Sequence, residues 1–145
     1  MINSFAVSLY HLFEQQFFEM YRTSKWVICQ ERVKQPTLKK GNEFFYLENS
    51  ISVEAFISWN RIDELRLLAN TIKHADGSSC NKLKTKRPDL FKRSRERQIG
   101  VQIDPDPHMP IFSPLAGQGI YVNESDFQEY IKGVKNFWSE LSQKL

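Results

Sequence analysis

The stretch FISWNRIDELRLLANTIKHADG, residues 56–77, decides the fold class. Among its apolar residues, Phe56, Trp59, Ile62, Leu65, Leu68, Ala69 and Ile72 fall at steps of 3, 3, 3, 3, 1 and 3. That is the period of one buried helical face. Ser52 reads as a cap, His74 lies in the last turn, and Gly77 stands just past the last apolar position, where helices stop. A helix over about residues 53–76 is therefore expected.

The same period recurs on both sides. Phe5, Leu9, Leu12, Phe13, Phe17 and Met20 form a stripe behind a cap at Asn3 or Ser4. Val7, Tyr10 and Phe18 widen it, so this helix is buried on more than one side. It runs over about 3–23 and is extended to 33, where Pro36 must end it. Near the C-terminus, Phe127, Tyr130, Ile131, Val134, Phe137, Trp138 and Leu141 mark a third helix over about 124–142, capped at Asn123 or Ser125. Between the first two helices, residues 36–50 have loop composition around the run Phe44 to Leu47, too short to tell helix from strand. Around 99–122 the pattern changes. Ile99, Val101 and Ile103 alternate, four prolines fall at 105, 107, 110 and 114, and Ile120, Tyr121 and Val122 are strand formers. A minor short-strand element is expected there.

The fold class expected is mainly α: a small bundle of three main helices in one domain, residues 1–145. The 145 residues suit one domain. With aromatics at 13%, there is material for a core without metal or disulfides. Cys29 and Cys80 form no C-x-x-C pair and suit a reducing cytoplasm. Met1 to Phe18 carries His11, Glu14, Gln15 and Gln16 and has no basic lead, which is unlike a signal peptide. No run of about 18 apolar residues predicts a membrane span.

Charge is uneven. The chain is net +3, yet residues 81–97 hold eight cations against Asp89 and Glu96. Lys82, Lys84, Lys86, Arg87, Lys92, Arg93, Arg95 and Arg97 can be read as a strip contacting nucleic-acid phosphates, or as a solvated loop. Immediately before the strip, Arg66, Asn70 and His74 stand four residues apart on one helix face. His carries protons near neutral pH, Asn can hold a phosphate, and Arg66 or Lys73 can neutralise developing negative charge. Metal-independent RNA cleavage, in which the 2′-hydroxyl attacks its own phosphate, uses such a set. The competing reading is a structural His favouring the helix C-terminal dipole.

A polar residue shortly before a His at a helix end, amid Leu spacing, resembles the HEPN superfamily. The likeness covers about ten residues specifically. Asn70 and His74 match that family's polar residue and His, while its Arg position falls on Ala69. The resemblance implies a small all-helical, often dimeric domain of bacterial antiviral defence or toxin–antitoxin systems. It also implies ribonuclease activity without a cofactor. The partners implied are RNA, a second copy, or a partner protein of such a system. A non-catalytic helical module binding protein or nucleic acid is the alternative.

Elsewhere chemistry is sparse. His11 with Glu14 and Gln15 reads as a structural polar patch. Asp104, Asp106 and His108 are held extended by prolines and are not expected to converge on a metal. Gly117 and Gly119 make no phosphate-binding fingerprint, and no hydrolase, zincin, Walker or kinase motif occurs.

Overall fold

A computed structural model describes residues 2–23, 38–100 and 110–145. Six helices are described: α1 (Ile2–Thr23), α2 (Leu38–Asn49), α3 (Trp59–His74), α4 (Ser78–Lys86), α5 (Ser94–Gln98) and α6 (Glu124–Lys144). One-turn 3₁₀ helices occur at Val53–Ala55, Pro88–Phe91 and Pro114–Ala116. The fold is mainly α, with α1, α3 and α6 as the long elements. The expected extension of the first helix to residue 33 lies outside the described residues, as does Cys29.

Helix α3 is central: α1, α4 and α6 all pack against it. Its stripe of Ile62, Leu65, Leu68, Ala69 and Ile72 is buried, as the spacing required. Phe13 and Phe17 of α1 and Phe137 of α6 are fully buried beside it. Phe13 and Phe137 meet edge to face at 5.0 Å, a favourable arrangement for the ring quadrupoles. Helix α2 settles the ambiguous run. Gly41, Phe44 and Phe45 are buried on one helical face. A Cβ at Gly41 would lie 2.4 Å from the Phe17 ring, so only glycine lets α2 approach α1 this closely.

One expected start signal holds and one does not: the cap at Asn123 forms, whereas Ser52 makes no side-chain cap and precedes only a one-turn 3₁₀ helix. Asn123 and Asp126 form a reciprocal box: Asp126 N–H donates to Asn123 Oδ1 at 2.8 Å, and Asn123 N–H to Asp126 Oδ2 at 3.0 Å. Helix α3 begins at Trp59 rather than 53, after a 3₁₀ turn over Val53–Ala55. Its N-terminus is capped from afar: Glu140 of α6 accepts from Ile57 N–H at 3.0 Å and Ser58 N–H at 2.9 Å. Asn3 is no cap. It lies inside α1, buried, and its amide donates to Pro114 O at 2.7 Å and Ile120 O at 3.0 Å, clamping residues 114–120 onto α1.

No strand forms among the described residues. The strand formers at 120–122 do alternate in burial, with Ile120 and Val122 buried and a half-buried Tyr121 between them. Tyr121 N–H, however, finds Leu90 O at 2.7 Å instead of a ladder, and no partner strand runs alongside among the described residues. Ile99 caps the C-terminus of α5, while Val101 and Ile103 lie outside the described residues. No described helix is long and apolar enough to cross a membrane.

Candidate functional site

The α3–α4 corner is built by a three-residue turn. Helix α3 ends at His74, and Ala75 takes φ +58°, ψ −119°, a costly conformation for a residue with a Cβ. Gly77 follows with φ +150°, and α4 starts at Ser78 without a side-chain cap. Helix α4 then runs back along α3, so that Lys86 Nζ reaches Asp63 near the start of α3 at 3.1 Å.

An open pocket of about 320 Å³ lies at this corner. Asn70 and His74 line it from α3, Asp76 from the turn, and Ser78, Ser79 and Cys80 from α4. His74 is exposed and Asn70 half-buried. The uncapped N–H groups of α4 sit at the positive end of a helix dipole, which favours an anion. Asp76 works the other way, although its two oxygens already accept from Ile111 N–H at 3.2 and 3.3 Å. Cys80 is buried, and burial pushes its thiol up, so it contributes no thiolate nucleophile.

The expected polar ladder is only partly assembled. Asn70 and His74 share the pocket, and Lys73 is exposed one residue away. Arg66 is engaged elsewhere. Its guanidinium donates to Asp63 Oδ1 at 2.6 and 3.2 Å, and Lys86 shares the same carboxylate. Burial works to raise the Asp63 carboxyl, but hydrogen bonds from Arg66 and Lys86 outweigh it and hold it below its usual range. Ala69 is fully buried, so the resemblance's Arg position has no room for such a side chain.

The basic segment divides rather than forming a strip. Arg87 and Arg97 belong to a half-buried ion cluster joining three helices. Arg87 bridges Asp89 (2.8 Å, two bonds), Asp126 of α6 (2.8 Å) and Glu64 of α3. Arg97 of α5 bonds Asp126 at 2.8 and 3.0 Å and Asp89 at 2.9 Å. Arg61 adds two bonds to Glu64 at 3.1 Å, and Tyr130 Oη donates to Glu64 at 2.7 Å. Burial raises the Asp126 carboxyl, but Arg97, the Asn123 N–H and Arg87 together hold it low. Lys84 is buried, with its ammonium 5.9 Å from the Phe91 ring. Lys92 is half-buried. Lys82, Arg93 and Arg95 remain exposed.

Glu64 and Asp126 are the residues that sequence reasoning missed, along with the bond from Tyr130, whose expected place in the buried stripe holds. Glu64 had a signal, an acid set inside an apolar helical stripe. Of the expected polar patch of His11, Glu14 and Gln15, His11 is exposed with Nδ1 3.8 Å from Glu14 Oε2. Among the described residues no group of three or more His, Cys, Asp and Glu could hold a metal; Asp104, Asp106 and His108 lie outside them. No family model, curated protein or solved structure matches this chain.

Proposed function

We propose that this chain acts on RNA at the α3–α4 corner, cleaving it without a metal as the HEPN resemblance implies. The observation that supports this reading is the shared pocket: an exposed His74 and a half-buried Asn70 line it together with the uncapped N-terminus of α4. In the reaction, the ribose 2′-oxygen bonds to the adjacent phosphorus and the bond to the 5′-oxygen breaks. The 2′-hydroxyl loses a proton and the leaving 5′-oxygen gains one. His74 carries one of these protons, and a second copy of the chain or a water carries the other. Asn70 positions the phosphate. Lys73, or an Arg66 released from Asp63, stabilises its added charge. The reading places the protein in the cytoplasm, in a defence or toxin–antitoxin system, with RNA and a second copy or partner protein.

A specific observation favours the alternative, a non-catalytic module binding RNA or a protein. Arg66 is paired with Asp63, Ala69 is buried, and Asp76 brings negative charge to the pocket. Incubation with RNA in excess chelator separates the two. Catalysis predicts products ending in 2′,3′-cyclic phosphate and 5′-hydroxyl. His74→Ala should then lose roughly 10²–10⁴-fold in rate while its melting temperature stays put, because the side chain is exposed. RNA bound but never cut, with equal affinity in His74→Ala, replaces the enzyme by the module.

A further inference from the structure

Phe112 is a large aromatic that the core does not use. Its neighbour Ile111 is buried, whereas Phe112 is 70% exposed. The segment carrying it is fixed to the pocket wall, because Ile111 N–H donates to both oxygens of the pocket residue Asp76. The Ile111 side chain is held on its other side by Gly119, where a Cβ would lie 2.8 Å from Ile111 Cγ2. Ser113, next in the chain, takes a left-handed conformation (φ +46°, ψ +49°) before the turn at Pro114–Ala116. That conformation is uncommon outside glycine, asparagine and aspartate, and such strain concentrates where a chain must present a group. Asn3 anchors the far end of the turn through Pro114 O and Ile120 O. An exposed ring is therefore carried on an anchored backbone, one residue along the chain from Ile111, which bonds the pocket residue Asp76.

We propose that Phe112 is a stacking platform for an unpaired base of the RNA whose phosphate occupies the Asn70–His74 pocket, which makes single-stranded RNA the preferred substrate. The inference rests on the RNA reading above. A flat π-face accepts any base, and base–aromatic stacking is worth roughly 1–3 kcal/mol per base. A paired base in a duplex keeps its faces against its neighbours and cannot use the platform. The backbone under the ring is already anchored through Asp76, Gly119 and Asn3, so little backbone freedom is lost on binding.

The test is fluorescence anisotropy with an end-labelled, unstructured RNA 12-mer and the same sequence as a duplex, in chelator and low salt. Single-stranded RNA should bind wild type more tightly than duplex. Phe112→Ala should weaken single-strand binding by about five- to a hundredfold and leave duplex binding and the melting temperature unchanged. Phe112→Trp should restore the single-strand affinity. No binding of either RNA by wild type overturns the RNA reading itself, and this inference with it. Wild-type binding that Phe112→Ala leaves intact overturns only the platform, as does a Phe112→Trp affinity no better than that of Phe112→Ala.

Discussion

Ala75 shows how one backbone angle sets the candidate site. It is the hinge between α3 and α4, and its φ of +58° with ψ −119° lies where a Cβ crowds the backbone. Ala75 lines the pocket itself, and Ser113 beside Phe112 is left-handed too. Two of the three non-glycine positive-φ residues described thus flank the same corner. Held strain of this kind costs roughly 1–3 kcal/mol per residue. Ala75→Gly removes the Cβ conflict, offset by up to about 1 kcal/mol of extra unfolded-chain freedom. The expected outcome is a net gain of about 1 kcal/mol, read as a higher midpoint in urea denaturation. A lower midpoint would show that the turn is comfortable with Ala and that the corner stores no strain.

At the scale of elements, what could be read in advance was whatever repeats locally. The stripes of α3 and α6 carry their own period, so their buried faces were legible; in α1 the buried face is turned to Ala6, Tyr10, Phe13 and Phe17, and the expected Phe5 and Leu12 are each 53% exposed. Helix α2 had its signal in Gly41, Phe44 and Phe45, spaced three and one apart, but four aromatic and aliphatic residues alone could not choose a period. Ile120, Tyr121 and Val122 are strand formers, yet a strand also needs a neighbour, and no local pattern specifies one. The site was legible only as far as Asn70 and His74. Arg66 looked available because Asp63, three residues away, was not weighed against it. The cap on α3 illustrates the same limit, because Glu140 lies more than eighty residues from the N–H groups it accepts. Glu140→Ala should therefore behave like the loss of a helix cap, costing about 1 kcal/mol in urea denaturation. Ser139→Ala, at its exposed neighbour, should cost little. If Glu140→Ala leaves stability unchanged, solvent caps α3 as well as the carboxylate does.

For the whole molecule, the division of the cations matters more than their number. Counting along the chain makes residues 81–97 net +6, but Glu64 and Asp126 reach into that segment from α3 and α6. Arg87 and Arg97 consequently tie α3, α5 and α6 together, whereas the Arg66–Asp63 pair is about 30% exposed and replaceable. The two pairings predict different costs. Arg66→Ala should lose no more than about 1 kcal/mol, as exposed pairs do. Arg87→Ala leaves Glu64 and Asp126 with fewer partners in a half-buried site and should lose about 3–5 kcal/mol near neutral pH. The sign with pH follows from the carboxylates. Asp63, Asp89 and Asp126 are all held below the ordinary value of 3.8, so each contributes fully above that value. Their contribution is lost as pH falls through the lowered folded values. At the alkaline end, burial and then Glu64 push the Tyr130 phenol up from 10.0, so the fold loses stability as pH rises past that ordinary value. Urea midpoints should thus hold level through neutrality and drop at both extremes. Once acid protonates Asp89 and Asp126, Arg87 has less to hold, and the Arg87→Ala and wild-type curves should converge below about pH 4. Parallel curves across the whole acid range would mean that Arg87 stabilises the helices through packing of its side chain rather than through its ion pairs.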